Sequence, residues 1–468
     1  MISCCVNESL NNGGFSEPLF ITQKHNETIN FITLGVLIMR SLILGHLVYL
    51  YTPLGILATI AGILMGGDWV WIGIAIFGFN IVADTLTSGI HLKGAAVNSK
   101  GEAAGVGPIL NLMMYFQLVS FVALQAAVLW RIYQYVGGAP IEAMTYSAFG
   151  QTFAYESGIT GLGLTAVVIG AGLHQGLGIM FGHELAHTKG FGFMISRMMM
   201  GLSGVAAFCY AHVYNHHLEL GRAWLGPQNN AMLDDTDPAT SPRGRSLYKH
   251  WVISTIGQSY FGFKTEQRRL KRMGKSFFNI FANRWIKGYL LSVPTVAAFT
   301  YVGYMAGGQD GALLGLGCLA VIWIISTFEL EALNYMEHYG LIRVKGEPIE
   351  YRHSWDNDSI FTGFAFIEIG RQADHHDRGE THFWELTSVG VPSTPEGAPN
   401  ALMGYYTEFV IALIPPLWHS IMKRKLAIWD RDFANAEERK IAAKINRMVG
   451  YECDLSEVEG KKLEVNYI

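Results

Sequence analysis

Charge is scarce in this chain of 468 residues: Asp, Glu, Lys and Arg make up 15% of it, against about 25% in an average soluble domain. Cysteine is scarce too. Cys4, Cys5, Cys209, Cys318 and Cys453 form no CxxC pair and no regular spacing, which argues against a zinc site and against a secreted disulfide framework. Neither sign of charge dominates, with 34 basic and 38 acidic residues, so no nucleic-acid footprint is visible. The N-terminal stretch of roughly 30 residues is polar and lacks the basic, apolar, small-residue order of a cleaved signal peptide. What remains is 50% apolar and carries 53 glycines. That bias excludes intrinsic disorder and is typical of membrane helices.

Six segments are long and apolar enough to span a bilayer as helices, near 43–66, 68–87, 108–133, 157–181, 288–306 and 311–333. No Lys or Arg occurs between Arg131 and Lys189, so the loop around 134–156 is expected to face outward. The turns at Gly66-Gly67-Asp68 and Gly307-Gly308-Gln309-Asp310 are equally free of basic residues. Residues 182–287, by contrast, carry 14 Lys and Arg, which the positive-inside rule assigns to the cytoplasm. Lys93 and Lys100 put the 88–107 loop on the same side, and the basic stretch after 334 joins them. The expected fold class is therefore all-α: a six-transmembrane-helix protein of the inner (cytoplasmic) membrane, with both termini inside. Two further apolar stretches, 190–211 and 401–419, contain Arg197, Glu408 and Pro415-Pro416, and are not expected to span. Residues 1–40 read as a polar N-terminal segment, 41–425 as the membrane domain and 426–468 as a charged cytoplasmic tail.

The 16 histidines are the most informative feature. His183 and His187 lie four apart at the inner end of the fourth span, on one face if that helix continues. His212, His216 and His217 form an HxxxHH cluster, His338 follows the sixth span, and His375 and His376 are adjacent. All eight fall on the cytoplasmic side of a topology that was derived from Lys and Arg alone. Neutral imidazole is the commonest metal ligand. Eight of them exceed what one ion accommodates, so two metals sharing the set is the simpler reading. His183-Glu-Leu-Ala-His187 also matches the HExxH string of zinc proteases. Such a protease needs one further ligand, however, and six more clustered histidines follow.

With these motifs in view, the chain resembles the membrane alkane monooxygenase family, integral-membrane diiron hydroxylases related to xylene monooxygenase and distantly to fatty-acid desaturases. Gly182-His-Glu-Leu-Ala-His-Thr-Lys and His212 to His217 are similar to the family's first two histidine boxes. Asn334-Tyr-Met-Glu-His-Tyr-Gly-Leu is similar to its most distinctive string. Segments starting at Thr236, Glu266 and His353 also look like the family's, and the resemblance covers roughly residues 40–425. One position departs from the pattern: Gln372 stands where the family has a ninth histidine in its last box. Either Gln372 ligates weakly, or His353 or His382 substitutes, or one metal position is weakened.

The resemblance implies an O2-dependent alkane 1-monooxygenase-like oxidoreductase, with two iron ions held by His183, His187, His212, His216, His217, His338, His375 and His376. Glu184, Glu337 and Asp374, each adjacent to a ligand, are the candidates for orienting the imidazoles. Asp84, inside the second span, is expected to be paired or to line a polar pocket. The chain has no flavin or iron–sulfur motif, so a rubredoxin or ferredoxin with its reductase is implied as electron donor, and an apolar hydrocarbon or acyl chain from the lipid bilayer as substrate. The alternatives are an acyl-lipid desaturase or hydroxylase, and a metal-binding member that has lost turnover through Gln372.

Overall fold

A computed structural model describes residues 44–91, 105–389 and 397–463. The expected polar segment 1–40, and with it Lys93 and Lys100, lies outside the described residues. Five helical units are long and apolar enough to cross a membrane: Gly45–Met65, Gly67–Thr87, Gly107–Val136, Gly161–Ala186 and Arg284–His338. Their regular helices are α1 (Tyr51–Met65), α2 (Ile72–Thr87), α3 (Gly107–Val136) and α4 (Gly161–Ala186), followed by α5 (Phe191–Leu202), α6 (Leu247–Arg272) and α7 (Val293–His338). Beyond these come α8 (Gln372–Asp377), α9 (Tyr405–Ala412), α10 (Pro415–Asp432) and α11 (Ala436–Val449).

The expected fifth and sixth spans are one helical unit that turns back on itself. Gly307 and Gly308 leave the helical region inside α7, and Gly308 does so at a φ of 63°, a conformation that glycine adopts without strain. The two limbs then pack backbone to backbone. A Cβ at Gly303 would collide with the Gly311 carbonyl, and one at Gly315 with that of Phe299.

At the centre lies α4, whose most apolar stretch is 83% buried. Thr160 caps its start by accepting a hydrogen bond from the Gly163 amide at 3.0 Å. Glycines let neighbours approach it closely: Gly170 faces Gly73 of α2, Gly172 faces Ile325 of α7, and Gly178 faces Phe121 of α3. Small residues at membrane-helix interfaces have this effect, because dispersion rather than hydrophobicity drives such packing.

The segments not expected to span do not form long helices. α5 has 12 residues, and the 401–419 stretch divides into α9 and α10 where Pro415-Pro416 starts the latter. The all-α expectation needs correction at two places. Strands β1 (Glu142–Ala148) and β2 (Gln151–Ser157) form an antiparallel hairpin in the loop between α3 and α4. Its two turn residues, Phe149 and Gly150, both have positive φ, the turn that matches strand twist. A small sheet of order β4-β3-β5 joins Arg222–Leu225 (β3), Ala231–Leu233 (β4) and Arg343–Val344 (β5). The tail read as charged and soluble is also packed down. Ile441, Ala442 and Ile445 of α11 are buried, as is Glu438.

Candidate metal centre

Four chain segments bring the eight histidines to one place. His183 lies in the last turn of α4 and His187 caps it. Residues His212–His216 form a π-helical turn, closed by an i→i+5 bond from the His217 amide to the His212 carbonyl. That wider turn aims His216 and His217 back over His212, with ring centroids 5.3 and 4.6 Å from it. An α-helical turn would swing the fifth residue away, and π-turns of this kind recur at functional sites. His338 ends α7, and α8 presents His375 and His376.

The rings divide into two groups. His183, His187, His212 and His375 each bring one ring nitrogen within 4.8 Å of the others, and His216, His338 and His376 do the same. His217 lies between the groups: its Nε2 is 3.0 Å from that of His212, and its ring stacks 4.3 Å from His376. Further Nε2–Nε2 separations are 2.7 Å for His183–His212 and 3.2 Å for both His216–His338 and His338–His376.

These nitrogens cannot satisfy one another. A neutral imidazole has one N–H and one lone pair, yet His212 Nε2 faces two other ring nitrogens. The Nε2 atoms of His187 and His375 are buried with no hydrogen-bond partner among the described residues. Separations of 2.7–3.2 Å are those of neighbouring ligands on a shared ion with metal–nitrogen bonds of about 2.1 Å. Burial pushes His187 down to about 4, although the Gly379 carbonyl pulls the other way. Burial, reinforced by neighbouring imidazoles, also holds His212, His217, His375 and His376 well below the ordinary histidine value. They are therefore neutral at pH 7, the form that binds metal. The donor set fits a pair of metal ions.

Two tautomers follow from contacts around the cluster. His216 Nδ1 lies 2.9 Å from the Asp237 carboxylate, and His187 bonds the Gly379 carbonyl. In both cases the outward nitrogen holds the proton and leaves the inward Nε2 lone pair free. Asp237 is itself fixed by the Thr240 hydroxyl. Sequence reasoning passed over Asp237, although it lies inside a segment already singled out.

The three carboxyls expected to orient imidazoles make other contacts. Glu184 accepts the Phe383 amide at 3.0 Å, Asp374 accepts Arg378 and the Thr387 amide, and Glu337 accepts the Tyr405 hydroxyl at 3.2 Å. They tie the surrounding segments to the ligand-bearing helices. Gln372 is buried, its amide bonds Glu337, and its Oε1 has no partner among the described residues. His353 is held out of the cluster with both ring nitrogens engaged, one by the Glu350 amide and one by Glu438. His382 stacks on Trp384 beside Glu184 and stays partly exposed. Asp84 accepts hydrogen bonds from the Thr407 amide and hydroxyl at 2.9 and 2.8 Å, and from Thr362. It thereby caps the start of α9 from another helix.

Residues 158–441 match the model of the fatty acid desaturase family. The hydroxylase component of xylene/toluene monooxygenase from Pseudomonas putida is 27% identical over 412 residues, covering 86% of this chain and 95% of that protein. Alkane 1-monooxygenase from Ectopseudomonas oleovorans is 28% identical over 278 residues, and alkane 1-monooxygenase 1 from Pseudomonas aeruginosa 29% over 295. These alignments span 57% and 60% of this chain, and 62% and 68% of the respective relatives.

Proposed function

The chain belongs to the fatty acid desaturase family, and from that premise we propose that it is a multi-pass membrane monooxygenase with a non-haem diiron centre. It hydroxylates an unactivated C–H bond of an apolar substrate of the terminal alkane or alkyl type. The carrying observation is the convergence of eight imidazoles, seven of them in two groups with His217 between, beside the ends of α4 and α7. The relatives' names supply the reaction class.

The proposed ligands are His183, His187, His212, His216, His217, His338, His375 and His376, with Gln372 Oε1 as a neutral, weaker donor beside them. Iron, when bound, supplies the activation of dioxygen. The protein's part is to hold the ligands, keep them neutral and exclude water. Asp237 and the Gly379 carbonyl do the first by fixing ring orientation. Each turnover replaces one C–H by C–OH, releases the second oxygen atom as water and consumes two electrons and two protons. A rubredoxin or ferredoxin with its reductase delivers the electrons. Counting the limbs of α7 separately gives six spans, and the positive-inside rule places both termini and the metal site in the cytoplasm of the inner membrane.

Iron per polypeptide in the detergent-purified chain tests the centre. A value near two, with other metals low, is expected, and one iron or fewer, restored by Gln372→His, would remove the family chemistry from this chain. The family match favours a second reading, desaturation of an acyl chain. Product analysis separates the two, because hydroxylation adds oxygen and desaturation removes two hydrogens.

A further inference from the structure

Glu329 is an acidic residue in the second limb of α7, and the metal centre does not use it. It is buried, and among the described residues neither carboxyl oxygen has a hydrogen-bond partner. A carboxyl in apolar surroundings costs several kcal/mol unless something meets it, and an acidic group within a membrane span marks a functional position by default. Glycine is required opposite it, since a Cβ at Gly176 of α4 would collide with the carboxyl.

The carboxyl lines a narrow crevice whose free space, about 20 Å³, is that of a single hydroxyl or water, and whose other walls include Leu177, Leu333, Met336 and Phe409. One more polar group faces this crevice without its full complement of bonds. Tyr406 accepts a hydrogen bond from the Asn80 amide at 2.8 Å, while its own hydroxyl proton has no acceptor among the described residues. The crevice follows the α7 face that carries Glu329, Leu333 and Met336, at helical spacing, toward His338. Glu329 precedes His338 by nine residues and Gly176 precedes His183 by seven. At 1.5 Å per residue both lie about 10–14 Å from the histidine cluster along the helix axes.

We propose that Glu329 and Tyr406 form a subsite for a hydroxyl group on an otherwise apolar substrate, whose far end reaches the histidine cluster. A hydroxyl both donates to a carboxyl oxygen and accepts from a tyrosine, so one such group can meet both orphaned partners. This deepens the hydroxylase reading and rests on it for the far end of the substrate, but the subsite itself is tested by binding alone. The favoured substrate class is then a chain that already carries a hydroxyl, with oxidation directed to the opposite terminus.

The test is equilibrium competition of decanol and decane for the iron-loaded protein in detergent, with radiolabelled decanol as tracer. Decanol is expected to bind about tenfold more tightly or better, because sites built around a polar group discriminate strongly against ligands that lack it. Glu329→Leu should abolish that preference, and Tyr406→Phe should reduce it while the ring stays in place. Glu329→Gln keeps an acceptor and should retain part of it, so the question stays open to experiment if the leucine variant does not fold. Equal affinities in the wild type, the result if the pair holds only water, would overturn the subsite. An unchanged preference in Glu329→Leu would do the same. Oxygenated product is scored separately. Preference without any product counts against the hydroxylase reading alone, and product without preference counts against the subsite alone.

Discussion

At the scale of single residues, the site depends on which side chains touch the imidazoles. Adjacency in sequence pointed to Glu184, Glu337 and Asp374, but neighbours along a helix project in different directions. Asp237, 21 positions from His216, is the carboxylate that reaches a ring. Asp237→Ala is therefore expected to weaken metal binding about 10–100-fold, read from iron retained against a graded chelator. Asp374→Asn should retain iron far better, since its partners are Arg378 and Thr387. Comparable losses in both variants would remove the special role of Asp237. The histidines themselves were legible because four motifs clustered on one side of a topology set by other residues. Glu329 was equally visible as an acid inside an apolar span, but its meaning depends on a crevice that sequence does not display.

At the scale of elements, local geometry decides function twice. The π-turn at 212–216 converts an HxxxHH string into three convergent imidazoles, and hydrogen-bond register of that kind has no signature in hydropathy. The bend in α7 is the second case. Glycines at 307 and 308 mark a turn readable from sequence, but the need for Gly303, Gly311 and Gly315 arises from contact between the limbs. Gly303→Ala should destabilise the protein by about 1–3 kcal/mol, as overpacking does, whereas Gly317→Ala, with open space around it, should be nearly neutral. Thermal melting in one detergent compares them. Equal shifts would mean that the limbs do not pack this closely.

At the scale of the whole molecule, α11 locks the cluster's surroundings from the far end of the chain. Glu438 is fully buried between Arg352, at 3.0 Å, and His353, at 2.8 Å. Burial raises the carboxyl, but the His353 and Arg352 hydrogen bonds outweigh it and hold Glu438 below its ordinary range. Burial lowers His353, and its bond to Glu438 only partly offsets this. Both folded values are depressed, so in each case the unfolded chain binds protons first as pH falls. The stability from His353 is complete above its unfolded value near 6.5 and declines below it, and that from Glu438 declines below about 4.5. Acidification from pH 7 to 4 should thus loosen α11, seen as faster amide exchange over 436–449. Glu438→Ala removes a buried carboxylate from Arg352, which keeps Glu350, and from His353, and should cost about 3–5 kcal/mol at pH 7. A tail that is already exposed and fast-exchanging at pH 7 would contradict this docking.

The sequence by itself pointed to a mostly helical, multi-pass membrane protein and to the histidines that the fold brings together, because hydropathy and motif spacing are local properties of a chain. Tertiary structure alone decided which carboxylate holds a ligand ring, that His353 is committed to Glu438, that a tail rich in charge is packed, and that Glu329 faces a crevice. Each of these is a contact between residues far apart in sequence, and the energy of a buried polar group depends on the partner that folding brings to it rather than on its neighbours in the chain.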